Sequence, residues 1–273
     1  MESAPEQAAV EDRLAADADH GSPIMNIDGL TKKYNGIAAV DSLSISFASG
    51  SITGIVGPNG AGKTTLFGLI SGTVRADDGS IRYLGREIGR LSPRARARIG
   101  IARTFQTARF FTSLTVRENL LVSIPRGAKV RPAWFRSRAL ISSGCADLVR
   151  TTAVQSGLEQ VLDSPAAKLP QALRKRLDLA IALLQQPRLL LLDEPTAGVG
   201  TDDIASIEAA LRDLKSRNSD GAILITSHDV DLISRIADHL MVMVRGRPIA
   251  YGVTWDVVQD PAVRQAYLGV SHS

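Results

Sequence analysis

The chain contains three short, mainly apolar stretches that have the length of β-strands. They lie at residues 51–56, which include Ser51 and Thr53, and at residues 189–192 and 222–225, which are apolar throughout. Continuous apolar runs of this length are typical of central strands in a parallel sheet whose two faces are both covered. Segments of helical pattern lie between them. The sequence therefore predicts an α/β fold, in which a mixed sheet has helices on its faces.

Other segments extend this prediction. Residues 25–47 predict N-terminal antiparallel strands with a turn at Asn35-Gly36, and residues 79–84 predict another strand. From about 93 to about 184 the pattern is mostly helical, with few strand signals. We expect one large domain over residues 24–269, with this helical stretch inserted as a subdomain.

Residues 1–23 differ in composition from the rest of the chain. They hold six acidic residues and one basic residue, which gives a charge of −5. They also hold too few large apolar side chains to pack, so they predict a disordered acidic tail. Because the whole chain has a net charge of +4, residues 24–273 carry +9. This positive charge is consistent with binding to an anionic membrane surface. Alternatively, it is only a basic surface exposed to solvent. Aromatic residues make up only 4% of the chain, which disfavours nucleic acid as a partner.

Cysteine content and hydropathy indicate the cellular compartment in which the protein works. The single cysteine, Cys145, cannot form an internal disulfide, which favours a reducing cytoplasm. No segment approaches the roughly 20 apolar residues needed to span a bilayer, and the N-terminus lacks the pattern of a secretory signal. We therefore expect any membrane role to be peripheral.

A glycine-rich stretch provides the strongest chemical signal. This stretch, residues 57–65, fits the phosphate-binding pattern G-x-x-x-x-G-K-[ST]. It follows the predicted strand at residues 51–56 and leads into the helical pattern at residues 65–70. The backbone N–H groups of such a loop and the helix N-terminus attract phosphate oxygens. Lys63 would reach the β- and γ-phosphates of a nucleotide, and the Thr64 hydroxyl would bind Mg²⁺. The predicted nucleotide-binding residues are Gly57, Pro58, Asn59, Gly60, Ala61, Gly62, Lys63, Thr64 and Thr65.

The second and third apolar runs each deliver polar residues at their carboxyl ends. Asp193 and Glu194 follow the run at 189–192, and His228 follows the run at 222–225. Open α/β sheets bind ligands at this edge. Asp193 would hold Mg²⁺, and Glu194 would act as general base toward an attacking water. His228 would donate a hydrogen bond to a γ-phosphate oxygen.

Together, residues 57–65, the pair Asp193-Glu194 and His228 resemble the ATP-binding-cassette (ABC) transporter ATPases, over about residues 25–269. The resemblance implies a P-loop NTPase core and two more site residues. Tyr34 matches the aromatic residue that stacks on adenine. Gln106 matches the glutamine that touches Mg²⁺ and couples the ATPase to its membrane partner, which makes it a predicted catalytic and metal residue.

Residues 100–106, 111–120 and 260–269 are similar to the ATPases of branched-chain amino acid importers. The long helical stretch between Gln106 and Leu169 is similar to one of the two ATPases of such importers. ATPases of lipid exporters share the C-terminal pattern but have a shorter helical stretch.

One segment departs from the family. The signature Leu-Ser-Gly-Gly-Gln corresponds to Leu169, Pro170, Gln171, Ala172 and Leu173. In the family this segment reaches across a dimer to the γ-phosphate on the partner subunit. Pro170 lacks both the hydroxyl and the N–H group at that position. Gly200 also stands where an aspartate or asparagine is usual.

The resemblance implies an ATP-hydrolysing importer subunit that works with ATP and Mg²⁺ on the cytoplasmic face of the inner membrane. Its implied partners are two transmembrane permease subunits, a second ABC ATPase in a heterodimer and, through the permease, an extracytoplasmic solute-binding protein. We expect no nucleic acid partner. The altered signature predicts one degenerate ATP site of the two. A lipid exporter ATPase and a soluble or regulatory ABC protein remain alternatives.

Overall fold

The computed structural model describes residues 23–104, 110–124, 143–197, 200–217 and 220–268. These residues form two compact units. The first takes its residues from 23–101, 188–194 and 214–268, and the second from 102–187 and 195–213. The predicted tail, except for Pro23, lies outside the described residues. The predicted bounds of the domain (24–269) and of the helical subdomain (about 93–184) stay predictions.

The strands and α-helices of the described residues are, in chain order, β1 (Pro23–Tyr34), β2 (Ile37–Ala48), β3 (Ile52–Val56), α1 (Lys63–Ser71), β4 (Asp78–Tyr83), β5 (Arg86–Glu87), α2 (Pro93–Arg98), β6 (Ile101–Arg103), α3 (Val116–Ser123), α4 (Ser143–Gln155), α5 (Gln171–Leu184), β7 (Leu189–Asp193), α6 (Thr201–Arg217), β8 (Ala222–Ser227), α7 (Val230–Ile236), β9 (His239–Val244), β10 (Arg247–Val253), α8 (Thr254–Gln259) and α9 (Pro261–Leu268).

The first unit contains a four-stranded antiparallel sheet in the order β2-β1-β4-β5. Its first hairpin turns at Asn35 and Gly36, whose φ angles are 50° and 83°. Both angles are left-handed, as the tight hairpin turn with an Asn-Gly pair requires. The N-terminal antiparallel strands and their turn are therefore confirmed.

The first unit also contains the strands of a larger sheet, whose order is β10-β9-β3-β8-β7-β6; of β6, only Ile101 belongs to this unit. β3 runs parallel to β8 and β9, and β8 runs parallel to β7, while β10 is antiparallel to β9. All residues of β3, β7 and β8 are buried. The sheet is thus mixed, and its central strands are the three apolar runs of the sequence.

One apolar core joins the two sheets to α1. Phe47 from β2, Phe67 from α1 and Met241 from β9 are among its fully buried side chains. A cation lies beside this core, because Arg96 of α2 is only 2% exposed. Its guanidinium donates to the carbonyl oxygens of Leu69, at the C-terminal end of α1, and of Leu91. Further bonds go to the carbonyls of Ile70 and Gly89.

The second unit has its own apolar core, formed mainly by α3, α4 and α5. α3 begins with a capping box, in which Thr115 and Glu118 bond to each other's backbone N–H groups. The loop before α3 is held by the buried side chain of Asn119, which bonds to both the N–H and the carbonyl of Phe111. Two short 3₁₀ turns, Glu159–Val161 and Ala166–Lys168, precede α5. Among the described helices of the whole chain, none is long and apolar enough to cross a membrane.

Candidate functional site

The predicted site residues of the first unit meet at one edge of its larger sheet. β3, β8 and β7 are neighbouring parallel strands, so their carboxyl ends lie side by side. The glycine-rich loop follows β3, Asp193 and Glu194 stand at the end of β7, and His228 follows β8. The arrangement is the one that open α/β sheets use to bind ligands.

The loop at residues 57–65 is shaped by two glycines. Gly62 stands immediately before α1 with a φ of 104°, and a Cβ there would lie 2.1 Å from the carbonyl oxygen of Ala39 in β2. A Cβ on Gly57 would lie 2.3 Å from the carbonyl oxygen of Met243 in β9. Both positions therefore exclude any larger residue. Ala61 fixes the middle of the loop, because its carbonyl accepts the N–H of Gly246 at 2.9 Å.

No side chain caps the N-terminus of α1. The first N–H groups of a helix have no partner within the helix, and the helix dipole makes that end positive. Nearby Pro58, Asn59, Gly60 and Thr64 are exposed. The loop thus presents backbone donors to solvent at a positive helix end, which fits an anionic ligand such as a nucleotide phosphate.

Lys63 is a buried cation at this helix start, only 6% exposed. Its ammonium donates to the carbonyl oxygen of Gly57 and, at 3.1 Å, to that of Pro58. Burial lowers the pKa of Lys63 from its usual value, while the charges of Glu194 and Asp193 act to raise it. Lys63 is therefore held inside the loop and within the electrostatic influence of both acidic residues.

The acidic pair differs in environment. Asp193 is 3% exposed and its Oδ1 accepts the hydroxyl proton of Thr226 at 2.8 Å. Glu194 has a φ of 47°, and its N–H points to both the carbonyl and the hydroxyl oxygen of Thr226, at 3.2 and 3.1 Å. Its Oε1 lies 3.8 Å from Nδ1 of His228, whose side chain is 64% exposed. The geometry brings the predicted base and the predicted phosphate contact together.

Thr226 was not predicted as a site residue. The sequence signal was available, because the side chain is a hydroxyl at the end of an otherwise apolar strand, next to Ser227 and His228. Ser227 has a local role: its Oγ accepts the N–H of Asp229, whose own side chain caps α7. The hydrogen bonds of Thr226 instead reach the acidic pair on the neighbouring strand.

Of the two site residues that the family resemblance implied, the structure describes Tyr34 but not Gln106. Tyr34 ends β1 with 47% of its surface exposed, and the Lys32 ammonium lies 5.4 Å from its ring centroid. The exposed ring leaves room for stacking, and its predicted contact with adenine stays a prediction. Gln106 lies outside the described residues, so its predicted roles stay predictions as well.

The oxygen ligands present fit Mg²⁺ bound together with a nucleotide. Mg²⁺ is usually held by one or two protein oxygens plus substrate phosphates rather than by a full protein cage. Thr64 offers an exposed hydroxyl at the start of α1, and Asp193 offers a carboxylate at the end of β7. Among the described residues, no group of three or more His, Cys, Asp or Glu side chains could hold a metal ion by itself.

The altered signature segment lies in the second unit, at the start of α5. Pro170 is the N-cap residue, with no side-chain cap bond, and Leu169 before it is buried. Arg174 holds this end by donating to the carbonyl oxygens of Leu169 at 2.8 Å and Ala167 at 2.7 Å. Gly200 precedes α6, and a Cβ added there would meet no described atom within 4 Å. The helix start is thus well supported, although the hydroxyl expected at position 170 is missing.

Comparisons of the sequence with known proteins point to one family. The sequence model of the ABC transporter family matches residues 40–197. The high-affinity branched-chain amino acid transport ATP-binding protein BraF of Pseudomonas aeruginosa is 33% identical over 255 residues, which cover 90% of this chain and 98% of BraF. LivG of Escherichia coli K12, named as the same kind of protein, is 31% identical with the same coverage.

Comparisons with solved structures give the same fold. An ATP-binding cassette of an ABC transporter has a TM-score of 0.78 and 30% identity, over 90% of this chain and 99% of that one. A structure of an ADP conformation of an ATP-binding cassette has a TM-score of 0.76 and 31% identity, over 91% and 100% of the two chains. These findings confirm the predicted α/β P-loop NTPase fold.

Proposed function

Because the chain belongs to the ABC transporter family, whose ATPases couple ATP hydrolysis to transport, we propose that it is the ATP-hydrolysing subunit of an importer. The proposed solute is a branched-chain amino acid or a similar small polar molecule. The names of BraF and LivG support an importer and favour it over the lipid exporter alternative.

One observation carries the enzymatic part of the proposal. The phosphate loop, the acidic pair and His228 stand at the carboxyl ends of three neighbouring strands of one sheet. Loop N–H groups and Lys63 would bind the phosphates of ATP. Tyr34 would stack on the adenine ring. Glu194 would accept a proton from the attacking water, and His228 would donate to the γ-phosphate.

Mg²⁺, which Thr64, Asp193 and Gln106 are proposed to hold, would neutralise charge on the β- and γ-phosphate oxygens. Asp193 suits this role because its carboxylate is already fixed by a hydrogen bond from Thr226. Lys63 adds a second positive charge, because its ammonium is held in the loop by the carbonyl oxygens of Gly57 and Pro58. Chain residues and metal would thus share the charge that phosphoryl transfer develops.

The proposed partners are two transmembrane permease subunits, a second ABC ATPase and an extracytoplasmic solute-binding protein that acts through the permease. We propose no nucleic acid partner, and a peripheral location on the cytoplasmic face of the inner membrane. Support comes from the named transport systems of the relatives. Closure of the ATPase dimer over ATP, followed by opening after hydrolysis, would alternate the access of the permease.

The second ATPase is proposed because of the signature segment. A cassette dimer has two ATP sites, each combining the loop of one subunit with the signature of the other. Here Pro170 and Ala172 replace a serine and a glycine of the family signature. A partner with an intact signature would complete the site at Gly57–Thr65, while the site that uses Pro170 would be degenerate.

Purification from membranes tests the proposal. We expect the tagged chain to retain two permease subunits and a second ATPase in mild detergent, and proteoliposomes of that complex to take up labelled leucine only when supplied with ATP and the solute-binding protein. A Lys63→Ala complex is the matched control and should assemble without transport. Recovery of the chain without membrane partners, under conditions that preserve a known importer, would contradict the proposal.

A further inference from the structure

A single hydroxyl contacts both acidic residues of the site. Thr226, in β8, is fully buried. Its hydroxyl donates to Oδ1 of Asp193 at 2.8 Å and accepts the backbone N–H of Glu194 at 3.1 Å. It therefore holds the side chain of one acidic residue and the main chain of the other.

We propose that Thr226 is a positioning residue for ATP hydrolysis. Its hydroxyl fixes the Asp193 carboxylate that would hold Mg²⁺ and the backbone that carries Glu194, the base. This inference rests on the proposed function, from which it takes the roles of the two acidic residues.

The donor and acceptor inventory fixes the direction of these bonds. A hydroxyl has one proton and two lone pairs, whereas a carboxylate only accepts. The proton of Thr226 must therefore go to Asp193, which leaves the lone pairs for the N–H of Glu194. Valine has nearly the same shape but can do neither. The hydroxyl, not the volume of the side chain, is what links the two residues.

The backbone of Glu194 needs such support. Its φ of 47° is uncommon for any residue other than glycine. Backbones in sparsely populated conformations persist where their surroundings determine them strongly. Here the N–H of Glu194 is bonded twice, to the carbonyl and to the hydroxyl oxygen of Thr226. Loss of the hydroxyl removes one of these two bonds.

The sheet makes the support rigid. Thr226 is directly paired with Asp193 in the parallel register of β8 and β7. β8 lies between β3 and β7, so it has hydrogen-bonded neighbours on both sides. A group on such a strand is held more precisely than one on a loop. The hydroxyl can therefore set the orientation of Asp193 before any ligand binds.

The same sheet offers a matched control. Thr53 in β3 is also 0% exposed, but its hydroxyl has no hydrogen-bond partner among the described residues. Both threonines are buried on central strands. They differ in whether the hydroxyl reaches the acidic pair. Thr53→Val thus measures the effect of replacing a buried strand threonine, without the effect on the site.

The test compares Thr226→Val, Thr226→Ser and Thr53→Val in the assembled transporter. We expect Thr226→Val to lower ATP turnover by about 10–100-fold, the range for losing a group that orients a metal ligand. Thr226→Ser keeps the hydroxyl and should retain at least about half of the turnover, and Thr53→Val should match the parent. Equal losses in Thr226→Val and Thr226→Ser would overturn the proposal, as would turnover of Thr226→Val within about twofold of the parent.

A second measurement does not depend on hydrolysis. The unfolding midpoint of the isolated chain is recorded with ATP and excess Mg²⁺, and again with ATP and EDTA. We expect the Mg²⁺-dependent rise in midpoint to fall by more than half in Thr226→Val and to persist in Thr226→Ser and Thr53→Val. An unchanged rise in Thr226→Val overturns the inference. Failure of the proposed function is a different result: Glu194→Gln would then leave the turnover of the transporter unchanged.

Discussion

The phosphate loop and the signature segment both place a backbone turn at the start of a helix, but they differ in what they offer a ligand. Before α1, Gly62 leaves the helix start uncapped, and Lys63 brings a buried cation. Before α5, Pro170 also leaves the helix start uncapped, but it has neither a hydroxyl nor an N–H. A helix N-terminus alone is therefore not a phosphate site; the side chains and glycines around it decide.

The phosphate loop and the signature segment also differ in the residues that surround them. The phosphate loop lies at a sheet edge beside Asp193, Glu194 and His228, so one sheet holds both the proposed phosphate-binding residues and the proposed hydrolytic residues. The start of α5 is held by Arg174 through carbonyl oxygens, which is a structural contact. We infer that the phosphate loop retains the residues needed for hydrolysis, whereas the signature segment retains only the structure of its helix.

The largest effect should come from Glu194→Gln. The substitution keeps the shape of the side chain but removes the base, so turnover of the assembled transporter should fall by about 10²–10⁴-fold while ATP binding remains. The equivalent substitution in the partner ATPase is the control, and it should leave most of the turnover. Steady-state phosphate release measures both. Equal losses in the two variants would show that the proposed asymmetry between the sites is wrong.

The next largest effect should come from Lys63→Ala. Removing the cation deprives the β- and γ-phosphates of a charge-assisted donor, so Mg-ATP should bind at least about a hundredfold more weakly. Calorimetry on the isolated chain measures the affinity. Lys33→Ala, which removes a lysine outside the loop, serves as the control. Unchanged affinity of Lys63→Ala for Mg-ATP would contradict the proposal that the loop binds the phosphates.

Repair of the signature should give a smaller gain. Pro170→Ser, Ala172→Gly and Leu173→Gln together restore the family residues, and each charge-assisted hydrogen bond regained is worth about 1.5–3 kcal/mol. In the Glu194→Gln background, ATP-dependent self-association of the isolated chain should strengthen by about tenfold or more. Analytical ultracentrifugation measures it, with Leu173→Gln alone as the control. Tight association of the unrepaired chain with ATP would show that its signature is not degenerate.

The smallest effect should come from Arg174→Ala. It removes two hydrogen bonds to backbone carbonyls, but water competes for them because Arg174 is exposed, so the free energy of unfolding should fall by only about 1 kcal/mol. The affinity of the chain for ATP should not change. Urea unfolding and calorimetry measure the two quantities. Arg150→Ala replaces an exposed arginine of α4 and should change neither. A loss of ATP affinity in Arg174→Ala would contradict the inference that Arg174 has only a structural role.

The central sheet was predictable where a strand is a mainly apolar segment of five or six residues. β3, β7 and β8 lie where residues 51–56, 189–192 and 222–225 predicted strands. β9, the other neighbour of β3, was missed although residues 240–244 are apolar. β6 has three residues, Ile101–Arg103, which is too short for a periodic signal.

The site was predictable as a set of residues but not in its supporting contacts. The motif places Lys63 and Thr64, and position after a strand indicates Glu194 and His228. The bond from Thr226 to Asp193 joins residues 33 positions apart, and only the register of two strands reveals it. The left-handed φ of Glu194 could not be predicted either, because nothing in the residue type requires it. Such contacts depend on tertiary structure, which local patterns do not encode.

The buried guanidinium of Arg96 has a consequence for synthesis and for inherited variation. α1 has nine residues, and isolated helices of that length are marginal in water. Gly72 caps its C-terminal end locally, but the second partner of the Leu69 carbonyl, Arg96, lies 27 residues further along the chain. The buried support that Arg96 gives to α1 should therefore form on the ribosome only after α2 has emerged. A missense allele at codon 96 should then resemble a nucleotide-binding defect in a genetic screen, although Arg96 is not among the candidate site residues.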